Sequence, residues 1–221
     1  MAGFVLGVVS SLAATALTVV VGWIGSKRMR HWPVAALSKV TGLGILRSYP
    51  QQKLANLDLS TDLASARWVK VLTGRGNELT RDSFRQTWEE ADSRLECVQI
   101  LLPDPDPGAA SFLAARETEI RRYDAGYRTG LLSEQIRSNI GYISTVASKR
   151  HHIKLRVFDF QQVCRVVVTD RVAYFTTYSG SDHGRNCPCI VFGNAGPLYD
   201  FALRMFNVTW ERAIPVSNRR S

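Results

Sequence analysis

The chain has 221 residues, 45% of them hydrophobic and 21% charged, a mix that excludes a disordered chain and holds one ordinary domain beside a shorter segment. Its formal charge of +9 is unevenly spread. Residues 1–50 carry five Lys or Arg and no acid, which leaves 23 basic and 19 acidic residues, net +4, for residues 51–221. That near balance argues against nucleic acid as a partner, because phosphate-backbone affinity rests on clustered basic residues.

Phe4 to Ile24 is an uncharged apolar run of 21 residues, followed at once by Lys27, Arg28, Arg30 and His31. As a helix rising about 1.5 Å per residue it spans roughly 30 Å, the thickness of a bilayer's hydrocarbon core. A cleaved signal peptide carries its charge before a shorter run, and an amphipathic core helix shows a polar stripe. Here only Ser10, Ser11, Thr15 and Thr18 interrupt the apolar residues, so the run reads as a single transmembrane anchor. Trp23 and Trp32 flank its basic end at headgroup depth. With positive charge only after the run, the amino terminus is expected outside the cell membrane and the main domain in the cytoplasm. Anionic lipid is the simplest partner of the basic cluster. Gly3 and Gly7 stand at a G-x3-G spacing that packs helices, a route to a homodimer.

The expected organisation is an anchor and basic segment over 1–30, a connector over 31–50, an α/β domain over 51–213 and a basic tail over 214–221. Within the domain, Ser60 to Ala66 reads as a short helix. Trp68 to Thr73 alternates as a strand, ends in Gly74-Arg75-Gly76-Asn77, and gives way to a helix from Thr80 to Ala91. Glu96 to Leu102 is a second strand, stopped by the alternating prolines of 103–107. Ala109 to Tyr127 and Ser133 to Lys149 read as helices. Ile153 to Phe158, Val163 to Thr169 and Val172 to Tyr178 read as strands, the last two joined by a tight turn at Asp170-Arg171. A polar loop, Ser179 to Asn186, leads to a strand over Cys189 to Phe192. Pro197, suited to a first helical turn, opens a helix to Arg212. Strands alternating with helices predict a mixed β-sheet with helices on both faces.

Several residues invite a chemical reading. The glycine turn holding Arg75 follows a strand, where free amides can hold an anion, and it can equally be a plain chain reversal. His183, Cys187 and Cys189 form a His-x3-Cys-x-Cys cluster, three ligands for zinc with no evident fourth. In a reducing compartment no structural disulfide is expected, and Cys97 and Cys164 read as small core residues. Asp104 and Asp106 read as solvated turn residues, and Arg121, Arg122 and Arg128 as an exposed face partnered by Glu117 and Glu119. No cofactor is implied by any of these patterns.

The order Gly42-Leu43-Gly44-Ile45, Leu63-Ala64-Ser65-Ala66, Gly74-Arg75-Gly76 and VQILLPD (98–104), then Arg165 to Asp170 and the helix through Trp210-Glu211-Arg212-Ala213, resembles a bacterial phospholipase D-like domain. The resemblance covers about residues 42–213. It implies a strand bearing H-x-K-x4-D, in which the histidine attacks phosphorus and the lysine binds phosphate. Aligned on Asp170, Val163 stands at the histidine and Arg165 at the lysine. Valine has no nucleophilic atom, whereas arginine still binds phosphate bidentately. The resemblance therefore implies a degenerate domain in a signalling setting, binding a phosphorylated ligand or a protein partner through Arg165, Asp170, Arg75 and Arg185. The alternative is a dimeric phosphodiesterase or phospholipase that recruits His183 as nucleophile. Arg165 is open to a third reading, a strand arginine that faces solvent or pairs with a carboxylate.

Overall fold

The computed structural model describes residue 15 and residues 27–81, 84, 87, 94–106, 111–180 and 182–216. The run Phe4 to Ile24, Thr15 excepted, and the terminal Arg219 and Arg220 lie outside the described residues. Among the described residues no helix is long and apolar enough to cross a membrane.

Among the described residues, helix α1 (Lys27–Thr41) contains Lys27, Arg28 and Arg30 and turns into strand β1 (Ile45–Tyr49). Most of α1 and all of β1 fall within the expected connector, and they pack on the domain: the buried Ser38 accepts from the Ile45 amide at 2.5 Å and the Ser48 amide reaches His31 Nδ1 at 3.3 Å. A 3-10 turn, Gln52–Ala55, runs into helix α2 (Asn56–Ala64), so this helix starts earlier than Ser60. Strand β2 (Trp68–Leu72) and strand β3 (Cys97–Pro103) follow the expected positions closely. Between them a 3-10 turn, Asn77–Thr80, closes the glycine loop.

Helix α3 (Phe112–Tyr123) is shorter than its apolar pattern suggests. The Ser111 hydroxyl accepts from the Ala114 amide and sets the start, and Asp124 is extended and sets the end. Helix α4 (Leu131–Lys149) comes next, then strands β4 (Ile153–Phe158), β5 (Cys164–Thr169) and β6 (Val172–Thr177). Strand β7 (Cys189–Gly193) precedes helix α5 (Pro197–Arg212), and the short strand β8 (Ile214–Pro215) lies where the basic tail is expected.

The eight strands form one sheet in the order β1-β7-β6-β5-β2-β3-β4-β8. Strands β2, β3 and β4 are parallel, and the remaining pairings are antiparallel. Its two faces follow from the period-two alternation of side chains. In β5, Cys164, Val166 and Val168 pack toward α5, where Phe206 and Ala202 are fully buried. Val167 points the other way, into a core made with Leu59, Leu113, Ile120, Leu132 and Ile136 of α2, α3 and α4. The fold is thus a mixed α/β sheet with helices on both faces, as expected from sequence. Burial pushes the Cys164 thiol up to about 11, in keeping with a small core residue; Cys97 is half-buried.

Two readings of charged residues are corrected here. Glu117 does not partner surface arginines: it is buried, and its carboxylate accepts from the Gly130 and Leu132 amides at 3.0 and 2.8 Å, capping the start of α4. Asp104 is also buried rather than solvated, and accepts from the Asp106 amide at 3.0 Å.

Candidate anion-binding site

Because β5 runs antiparallel to β2, its first residues lie at the same sheet edge as the loop that leaves β2. At that edge opens a cavity of about 420 Å³. Its floor is the 73–78 loop, with Arg165 and Tyr178 from the ends of β5 and β6. One wall is the α3 face bearing Phe112, Arg116, Ile120 and Tyr123, and the rim carries Gln52, Lys53, His183 and Arg185. Gly76 is needed for the floor: its φ is +82°, and a Cβ there would stand 2.7 Å from Leu102 Cδ2 of β3.

Among the described residues six cationic side chains line this space, Lys53, Arg75, Arg81, Arg116, Arg165 and Arg185, against one acid, Glu78. Arg165 is the deepest of them and 6% exposed. It shares the β5 face of Val167, opposite Thr176 of β6, and is covered by the helices on that side. A buried guanidinium requires counter-charge. Glu78 Oε2 supplies it at 2.5 Å from Nη2. The Gln52 amide oxygen, in the orientation that satisfies its neighbours, faces Nη1 at 2.6 Å while its nitrogen donates to Glu78 Oε1 at 3.0 Å. Although close to Glu78, Nη2 has no aligned hydrogen bond among the described residues.

Around this core, Tyr178 accepts at its hydroxyl from the Gly74 amide at 3.3 Å, and Arg116 lies 5.9 Å from its ring centre. Burial raises the Tyr178 pKa, so the phenol remains protonated. Arg75 stacks at 5.5 Å over Tyr127. Arg116 also pairs with Glu119 behind the wall. His183 Nε2 is 3.2 Å from Asp124 Oδ2, and its ring meets Tyr123 edge-on at 5.5 Å.

The sequence-derived residues divide accordingly. Arg165, Arg75, Arg185 and His183 meet in one cavity, and Arg165 is not a solvated strand residue. Asp170 is a correction: it sits in the β5–β6 turn, about 16 Å along the strand from Arg165, and accepts from the Arg67 amide at 3.0 Å. Val163, where the resemblance expects a nucleophile, is 61% exposed and is not among the lining residues. The zinc reading also fails. Among the described residues no three His, Cys, Asp or Glu side chains converge on a metal position, because Cys187 and Cys189 turn into the core while His183 turns to Asp124.

Glu78, Gln52, Gln162, Tyr123 and Arg116 were missed. One signal was available: a single arginine in the otherwise apolar CRVVVT is a buried charge in waiting, and a buried charge predicts a distant acid.

No family model matches the chain, and no curated protein matches it. Among solved structures it is similar to TrmBL2, an archaeal chromatin protein described as binding DNA, at 15% identity over 95% of this chain and 70% of that one, with a TM-score of 0.48. It is similar to Nuc of Salmonella typhimurium, a phospholipase D family member, at 13% identity over 73% of this chain and 90% of that one, with a TM-score of 0.46. A third similar structure is NucT from Helicobacter pylori, at 14% identity over 74% of this chain and 92% of that one, with a TM-score of 0.44.

Proposed function

We propose that this chain is a membrane-anchored sensory or regulatory module, built on a degenerate phospholipase D-like domain in the cytoplasm, that binds a phosphorylated ligand without turning it over. The observation that carries the reading is the charge balance of the cavity among the described residues: six cations to one acid, with the deepest cation buried. Such a site holds anionic oxygens strongly because Arg165 is already desolvated and its guanidinium offers paired donors. Val163 removes the nucleophile that phosphodiester cleavage on this pattern requires. The apolar run Phe4 to Ile24 and the basic residues after it support the anchor, with anionic lipid and a second copy of the chain as membrane partners.

The test is calorimetric titration of the full-length chain in detergent micelles with inorganic pyrophosphate. Binding in the micromolar range is expected, and at a hundredfold excess over Kd it should stabilise the chain by about 2.7 kcal/mol. Arg165→Ala should weaken the titration at least tenfold. Absence of any pyrophosphate binding by a folded chain would remove the proposal.

The enzyme reading retains one observation in its favour, the His183–Asp124 pair on the rim. A carboxylate orients an imidazole for proton transfer or attack. Turnover of an aryl phosphodiester by the full-length chain, abolished in His183→Ala, would favour catalysis over binding.

A further inference from the structure

Two buried polar atoms with no hydrogen-bond partner among the described residues, Tyr123 Oη and Gln162 Oε1, belong to residues lining this one cavity beside Arg165, whose Nη2 meets Glu78 Oε2 at 2.5 Å. Buried polar groups in native proteins are almost always satisfied, so two such atoms beside a buried cation point to a ligand. Their chemistry is not uniform. Arg165 only donates and Tyr123 donates or accepts, but Gln162 Oε1 only accepts. The Gln162 orientation is set by its own nitrogen, which donates to the Cys164 carbonyl at 2.5 Å. Turning the amide over would set two oxygens against each other. Its oxygen lies against the glycine loop, 3.7 Å from the position a Gly74 Cβ would take.

A fully ionised phosphate has acceptors only, and so leaves Gln162 unpaired. The cavity is also too large for a lone phosphate group: its 420 Å³ holds about fourteen waters at roughly 30 Å³ each. We propose that the ligand is a small phosphate ester bearing hydroxyl groups, of sugar-phosphate or nucleotide type. Its phosphate meets Arg165 and Tyr123, a hydroxyl donates to Gln162 Oε1, and the carbon skeleton rests on Phe112 and Ile120. This inference rests on the anion-binding reading above.

The experiment titrates the full-length chain in detergent with methyl phosphate, ribose 5-phosphate and adenosine 5′-monophosphate. At least one hydroxylated ester should bind about tenfold or more tightly than methyl phosphate, as befits a site whose buried acceptor the wrong ligand leaves unpaired. The stronger of the two identifies the sugar-phosphate or the nucleotide source. Gln162→Leu, which removes the acceptor at similar volume, should bring that ratio close to one. Tyr123→Phe, a milder change, should weaken the preferred ester several-fold. Methyl phosphate binding as well as both hydroxylated esters, or a ratio unchanged in Gln162→Leu, would overturn the inference while leaving the anion site standing. A folded chain that binds none of the three, nor pyrophosphate, would overturn both.

Discussion

The Glu78→Ala chain is expected to be about 2 to 3 kcal/mol less stable than the native chain in phosphate-free buffer, and to recover most of that loss in 10 mM pyrophosphate. The reason is an asymmetry within one ion pair. The Arg165 side chain is 8% exposed and that of Glu78 39%, so removing the acid strands a guanidinium that water cannot reach. Removing Arg165 instead leaves a carboxylate that can hydrate. The Arg165→Ala chain should therefore lose less stability than Glu78→Ala, yet gain less from pyrophosphate than the native chain does. The cost for Glu78→Ala is set at the low end for a broken buried pair because its carboxylate is partly solvated already. Without Glu78 the described residues of the cavity's lining include six cations and no acid, so pyrophosphate affinity should rise as stability without ligand falls. Urea unfolding of the full-length chains in micelles, followed by tryptophan fluorescence with and without pyrophosphate, checks this. A Glu78→Ala chain within 0.5 kcal/mol of native, a shift well inside the ordinary range for surface substitutions, would show that the ion pair does not hold the site.

Gly196→Ala is expected to cost about 2 to 4 kcal/mol, the upper range for an added methyl that the surroundings cannot accommodate. A Cβ at Gly196 would stand 2.5 Å from Gly44 Cα and 2.8 Å from the Leu43 carbonyl oxygen. Each is a backbone atom, so no side chain can rotate aside. The contact is reciprocal, since a Cβ at Gly44 would meet Gly196 Cα at 2.6 Å, and Gly44 is held at φ +78°. Here the turn that leads from α1 into β1 rests on the turn that leads from β7 into α5, and the Gly193 amide donates to the Gly44 carbonyl at 2.8 Å. Separating the turns disturbs the β1–β7 pairing itself. Gly141→Ala is the internal contrast: it lies in α4 with nothing within 4 Å of its Cβ position, and should stabilise by about 0.5 to 1 kcal/mol. The same unfolding measurement compares both. A Gly196→Ala chain that unfolds at the native urea midpoint would mean that the two turns are not in contact.

Both predictions concern features that local pattern does not reveal. Elements stabilised by their own sequence were legible: the IKLRVF alternation of β4, the β5–β6 hairpin across Asp170-Arg171, and α5 from its proline to Arg212. Elements whose ends depend on neighbours were not. β1 looks like connector because its partner residues in β7 lie 140 or more positions along the chain, and α3 ends early because Asp124 leaves the helix and reaches the loop that carries His183.

The same division holds for the site. From the sequence alone came the mixed sheet with helices on both faces, an arginine at position 165 as a candidate for binding phosphate, and a valine where a nucleophile would stand. Residue type and strand period are local properties, and they determine which face a side chain takes. Only the tertiary structure decided that Arg75, Arg185 and His183 join Arg165, that Asp170 does not, and that Glu78 neutralises the buried charge. Those outcomes depend on which strand ends share an edge of the sheet. That edge is set by packing among segments far apart in the chain, and no spacing along the chain encodes it.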